Sequence, residues 1–177
     1  MQRSNENADE AATEIQRAGE DLFNYAIDRE EVKYLLAQHP EESSIAPAKV
    51  EYELQLLKII TVGWSLSYYL QESTAKNQLL TPFWQSIRQF SDSLSETTDL
   101  MIGQQIDYFN TLKERLDHYV AVLGDHPQAT EPVAVIGPEF AACCGNRDDI
   151  FTLMAGAKMF STAALRVKQY LTAANVI

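Results

Sequence analysis

VEYELQLLKIITVGWSLSYYL, residues 50–70, carries charge only in its first turns, at Glu51, Glu53 and Lys58, and no further charge follows until Glu72. On a helical wheel Val50, Leu54, Leu57, Thr61, Trp64 and Tyr68 line one face. Leu56, Ile59, Ile60, Val62, Leu66, Tyr69 and Leu70 cover most of the rest. A helix apolar nearly all round has to be surrounded by other elements. From Ile60 to Tyr68, however, apolar residues alternate with small or polar ones, which is the period of a half-buried strand. Length and company decide for the helix. No turn residue interrupts the roughly twenty residues before Gln71, whereas strands usually run about 3–10. Elsewhere only Pro132–Ile136 looks extended, and a lone strand is not stable. Residues 50–71 are therefore predicted to form a central helix.

The composition agrees. The 177 residues suit a single domain, and only seven glycines and six prolines interrupt a chain rich in Ala, Leu, Gln and Glu. Net charge is −11. Residues 1–46 hold four basic and eleven acidic side chains, while residues 147–177 are net +2. Such a chain repels phosphate backbones and anionic membrane surfaces, so neither nucleic acid nor membrane is an expected partner. The N-terminal MQRSNENADEAATE lacks the apolar core of a signal peptide. The longest uncharged run, Ile59–Gln71, is 13 residues, against the roughly 20 that span a bilayer. Two adjacent cysteines make no disulfide framework. These features predict a soluble, cytoplasmic protein.

Along the chain, residues 1–7 read as a disordered tail, and 8–177 as one helical-bundle domain. A first helix is expected from Ala8 to Gln38, with an apolar stripe through Ile15, Ala18, Leu22, Tyr25, Val32 and Leu36 and a strongly acidic remainder. Gly19 is a point of loosening, and His39-Pro40 a stop. Thr81-Pro82 reads as the start of the next helix after the connection 72–78. Phe83, Ile87, Phe90 and Leu94 begin a stripe that runs on through Ile102, Ile106, Phe109, Leu116, Val120 and Leu123. Taken as one helix, residues 82–123 would be about 60 Å long, against roughly 40 Å for the whole domain. A break is expected in the Ser/Thr-rich stretch 91–99, where hydroxyls compete for the backbone. Residues 124–137 read as a long connection containing a short apolar patch, Val133–Ile136. Pro138 opens a short helix that Gly145 ends. Asn146 then caps a final, basic helix whose apolar face runs through Ile150, Met154, Ala157, Phe160, Ala164, Val167 and Leu171, beside the acidic first helix. The fold class is all-α, an antiparallel bundle of four or five main helices.

Chemistry is sparse. Glu-x-x-His pairs, phosphate loops, a nucleophile elbow and a Ser/His/Asp set are not found in the sequence. No carboxylate stands in an obviously apolar context, so neither catalytic residues, metal ligands nor a cofactor are assigned. Asp107, Asn110, Glu114 and His118 share one helical face and read as solvated. Cys143 and Cys144 fit neither a redox nor a zinc spacing and read as small buried side chains. Trp64, Tyr68 and Trp84 flank one short connection and are the candidates for lining a pocket for a flat apolar ligand. What remains is amphipathic helix and an acidic surface. The function expected is that of a non-catalytic interaction protein, an adaptor or chaperone whose partner is another protein or a second copy of itself. The alternative is a ligand-binding bundle or an unrecognised enzyme with its site at Trp64, Tyr68 and Trp84.

Overall fold

The computed structural model describes residues 2–71, 73–126 and 132–177, with side chains from Thr13 onward. The described residues form seven helices and no strand: α1 (Gln2–Ile27), α2 (Glu30–Leu36), α3 (Pro47–Tyr69), α4 (Ala75–Ile102), α5 (Tyr108–Asp125), α6 (Val133–Cys144) and α7 (Ile150–Ala173). The protein is all-α. α3 is the axis of the fold, because it packs against all six other helices. Thirteen of its 23 residues are buried. The alternation at Ile60–Tyr68 is that of a helix with neighbours on every side. Thr61 is buried and donates its hydroxyl to the Leu57 carbonyl at 2.7 Å, and Gly63 receives the Trp84 indole.

Several boundaries differ from those expected. The helical backbone begins at Gln2, ahead of Ala8. The first helix does not run unbroken to Gln38. It ends at Ile27, because the Asp28 side chain turns to accept from Glu30 N–H at 3.0 Å and the Lys58 ammonium donates to the Asp28 carbonyl at 2.8 Å. Gly19 lies within α1 and faces Leu79. α4 starts at Ala75 and carries Pro82 inside it, not at its first position. The Ser/Thr-rich stretch stays helical, since Ser91, Ser95, Thr97 and Thr98 each donate to the carbonyl four residues earlier, at 2.7–2.9 Å. The break comes at Gly103, which takes φ +64 and closes the helix with an N–H to the Asp99 carbonyl at 2.8 Å. Glycine adopts that backbone without a side-chain penalty. At 28 residues α4 is about 42 Å long.

Val133–Ile136 is the first turn of α6, with Pro138 inside that helix, and not part of a connection; much of the expected loop, residues 127–131, lies outside the described residues. Gly145 ends α6 with φ 112, as expected. The cap of α7 is Asp149, which accepts from Thr152 N–H at 2.8 Å, while Asn146 accepts from Asp148 N–H. The buried face of α7 is also displaced around the helix. Phe160, Ala164, Val167 and Leu171 are buried as expected, but Ala155, Gly156, Met159 and Ala163 join them, whereas Ile150 and Met154 are 74% and 64% exposed. The small residues explain the shift, because they let α6 approach until the Phe140 ring lies against Gly156. α7 has the length and mean hydropathy, 1.2, of a membrane span, but nine of its residues are buried in this fold, where it packs chiefly against α3 and α6.

The Gly156 contact yields a test. A Cβ there would sit 2.5–2.6 Å from the Cβ, Cγ and Cδ1 atoms of Phe140, too near the backbone to be relieved by rotating the ring. Gly156→Ala is expected to lower the unfolding free energy by about 3 kcal/mol, measured by urea denaturation. Gly63→Ala meets only the outer edge of the Trp84 indole and should cost less.

Candidate functional site

Two charged side chains lie deep in α3, and most of the described polar chemistry inside the fold gathers around them. Glu53 is 1% exposed. It stands one turn from Val50, Leu56 and Leu57, so the face that buries those residues buries it too. Arg115 of α5 grips its carboxylate with two parallel hydrogen bonds, both 2.9 Å, and Lys49 adds a third at 2.7 Å. Hydrogen bonding to Glu53 raises the Arg115 pKa, so its charge is secure. A carboxylate held by two cations through three hydrogen bonds is poorly placed to take a proton from a substrate.

Lys58, entirely buried, lies between Leu54 and Val62 on its own helix. Its ammonium donates to the Asp28 carbonyl, forms an ion pair with Glu31 at 2.9 Å that lacks hydrogen-bond alignment, and sits 4.3 Å over the Tyr25 ring. Glu31 in turn accepts from the Tyr25 hydroxyl and lies 3.6 Å from Arg166 of α7. The acidic first segment and the basic last helix therefore do meet, at Glu31 with Arg166 and at Asp21 with the Tyr170 hydroxyl, 2.7 Å. Both clusters tie outer helices to α3.

Cys143 and Cys144 close α6 beside the Glu53 cluster. Burial raises both thiols, Cys144 to about 12, and the Arg115 charge acts against this at Cys143 without overcoming it. Neutral thiols are poor nucleophiles. Iodoacetamide at neutral pH is expected to label the unfolded chain and spare the native one. The same protonation predicts alkaline lability. Cys144 ionises near 9.0 when unfolded and near 12 when folded. Between those values the unfolded chain has lost a proton that the native one keeps, so stability falls as pH rises. Burial raises Tyr108 and Tyr119 above 10.0 with the same sign. The urea midpoint should hold up to about pH 9 and decline above it. In Cys143→Ala/Cys144→Ala the decline should begin about one unit later. A midpoint rising through that range would contradict the assignment.

The solvated face expected on α5 is divided among separate tasks. Asp107 caps α5 by accepting from Asn110 N–H, Asn110 donates to Glu114 at 2.9 Å, and His118 reaches Glu139 of α6 at 3.1 Å, where Arg147 also pairs. Among the described residues no group of three or more His, Cys, Asp or Glu could hold a metal ion.

The three pocket candidates are only partly brought together. Trp64 and Tyr68 stack at 4.9 Å, with Phe160 of α7 against Trp64 at 5.3 Å. Trp84 lies over Gly63 and borders a separate, open depression with Arg88 and Phe109. A different concavity, of about 310 Å³, lies among α1, α3, α4 and α5 and is lined by Tyr52, Gln55, Phe90 and Tyr108, with the Arg29–Glu51 ion pair at its edge.

The largest departure from the sequence pattern is on the surface. Leu100, Met101 and Ile102, the last residues of α4, are 87%, 78% and 62% exposed. The stripe that was to continue through Ile102 leaves the core after Leu94 and resumes on α5, where Leu116 and Leu123 pack against the core and Tyr108, Leu112 and Tyr119 are buried while Val120 stays half exposed. Leu100-Met101-Ile102 just before a glycine was the available signal. Beside this tip lies a shallow depression of about 620 Å³ lined by Asp92, Glu96, Asp99 and Asp107. Asp92 pairs with Arg88 at 3.6 Å and Asp107 caps α5, while Glu96 and Asp99 have no ion-pair partner among the described residues. No protein-family model matches the chain, and no curated protein or solved structure matches it significantly.

Proposed function

We propose that the protein is a non-catalytic helical scaffold that binds another protein chain through the end of α4. The exposed Leu100-Met101-Ile102 tip carries this reading. The three residues close α4 at its free end, where no other described helix covers them. Contiguous exposed apolar surface marks an interaction site more often than isolated apolar residues do. The acidic flank supplies selectivity, because it favours a partner segment that is cationic as well as apolar and disfavours acidic ones.

A photo-activated cross-linking residue placed at Met101 of the full chain, in cell extract, tests this. A discrete protein adduct is expected, lost when Leu100 and Ile102 are changed to Ser, and absent when the cross-linker is placed at exposed Glu42. Equal, diffuse labelling from Met101 and Glu42 would reject the reading. The substitutions should leave stability within about 0.5 kcal/mol, as surface changes do.

A further inference from the structure

Resting on that reading, the structure points to the partner: we infer that the chain associates with a second copy of itself, the acidic tip of α4 in one copy docking on the outer stripe of α7 in the next. The stripe is Ile150, Met154, Lys158, Leu165 and Lys168, spaced to lie along one face of the helix. Ile150, Met154 and Leu165 are 74%, 64% and 54% exposed, Lys158 is exposed between them, and Lys168 is exposed just beyond Leu165 with its ammonium 5.9 Å over the Tyr69 ring. No acidic residue occurs anywhere in 150–177. Lys158 has no ion-pair partner among the described residues.

The chain therefore displays two apolar surfaces, one flanked by carboxylates and one threaded with ammonium groups, and neither is covered by the described residues. Charge decides how copies pair. Two tips face to face would bring carboxylates together, and two stripes would bring lysines together. Like charges oppose both symmetric arrangements. Tip against stripe places Lys158 and Lys168 against Glu96 and Asp99, Asp92 being paired with Arg88 at 3.6 Å, while both apolar surfaces are buried. This pairing is heterologous, so each bound copy keeps one free tip and one free stripe, and assembly grows into a ring or a filament.

The test uses two full-length variants whose folding is checked by circular dichroism. The tip variant is Leu100→Ser/Met101→Ser/Ile102→Ser, and the stripe variant is Ile150→Ser/Met154→Ser/Lys158→Glu. Light scattering of the parent chain is expected to give a mass that rises with concentration above 19.9 kDa. That mass should fall at 1 M salt, where screening acts over about 3 Å. Each variant alone should stay monomeric. Their equimolar mixture should stop at twice the chain mass, because one intact tip meets one intact stripe and no open surface remains. If the stripe variant fails to fold, Lys158→Glu alone should weaken association about tenfold or more, a change of about 1.4 kcal/mol.

A parent chain that stays monomeric at every concentration overturns the inference, as does a mixture that stays monomeric while the parent associates. These failures are separable from failure of the proposed function. A Met101 adduct containing a different protein sinks self-pairing and leaves the scaffold reading standing, whereas no adduct at all sinks both.

Discussion

Arg115→Met alone is expected to lower the unfolding free energy by about 3 kcal/mol, while Lys49→Met/Glu53→Leu/Arg115→Met together should restore the parent value or exceed it. The asymmetry follows from burial. Glu53 is 1% exposed and its charge is balanced mainly by the two-pronged Arg115 contact. Without Arg115 the carboxylate stays buried with only Lys49, itself 43% exposed, to offset its lost hydration. Removing one partner of a buried pair costs about 3–5 kcal/mol, and the remaining lysine places this case at the low end. Replacing the whole cluster with apolar side chains removes the desolvation cost together with the attraction. Urea denaturation of the parent and the two variants checks it. A triple variant less stable than Arg115→Met would mean that the cluster stabilises the fold beyond neutralising its own charges.

Lys58→Ala should cost about 4 kcal/mol, combining a cavity where the aliphatic stem ran with the loss of the donor to the Asp28 carbonyl and of the ion pair with Glu31. Lys58→Met keeps most of the volume and should recover about half of that. Glu31 retains the Tyr25 hydroxyl and Arg166 in both variants, which moderates the loss. The defect should be local first. Amides of residues 28–36 are expected to exchange faster in both variants, because Lys58 holds the α1–α2 joint to α3. Parent-like stability for Lys58→Ala would show that the ammonium is not buried in solution.

The core of the architecture could be read from residues 50–70 because an all-round apolar helix admits few surroundings, and α3 is enclosed as that composition requires. What escaped the sequence was decided between elements. The turn at Asp28 depends on Lys58, thirty residues away, so the local pattern of 8–38 reads as one helix. The hydroxyls of 91–99 compete for the backbone in isolation, yet here Ser91, Ser95, Thr97 and Thr98 each find a carbonyl one turn back, and the break moves to Gly103. On α7 both the expected and the observed faces have helical spacing. The choice between them was made by Phe140 fitting onto Gly156. Glu53 and Lys58 were visible as charges in the central helix, but their burial could not be read without knowing that Arg115 and Asp28 come to meet them. Trp64, Tyr68 and Trp84 were read as neighbours across a connection. They occupy different sides of α3, since Trp64 points to Phe160 while Trp84 covers Gly63.

Native-state hydrogen exchange along α3 tests the enclosure most directly. With six helices packed on it, amides from Leu54 to Leu66 should open only when the whole molecule unfolds, so their opening free energies should be uniform, equal to the global value and equally sensitive to urea. Exchange in that segment that is fast, or insensitive to urea, would place one flank of α3 in water and contradict the fold as described.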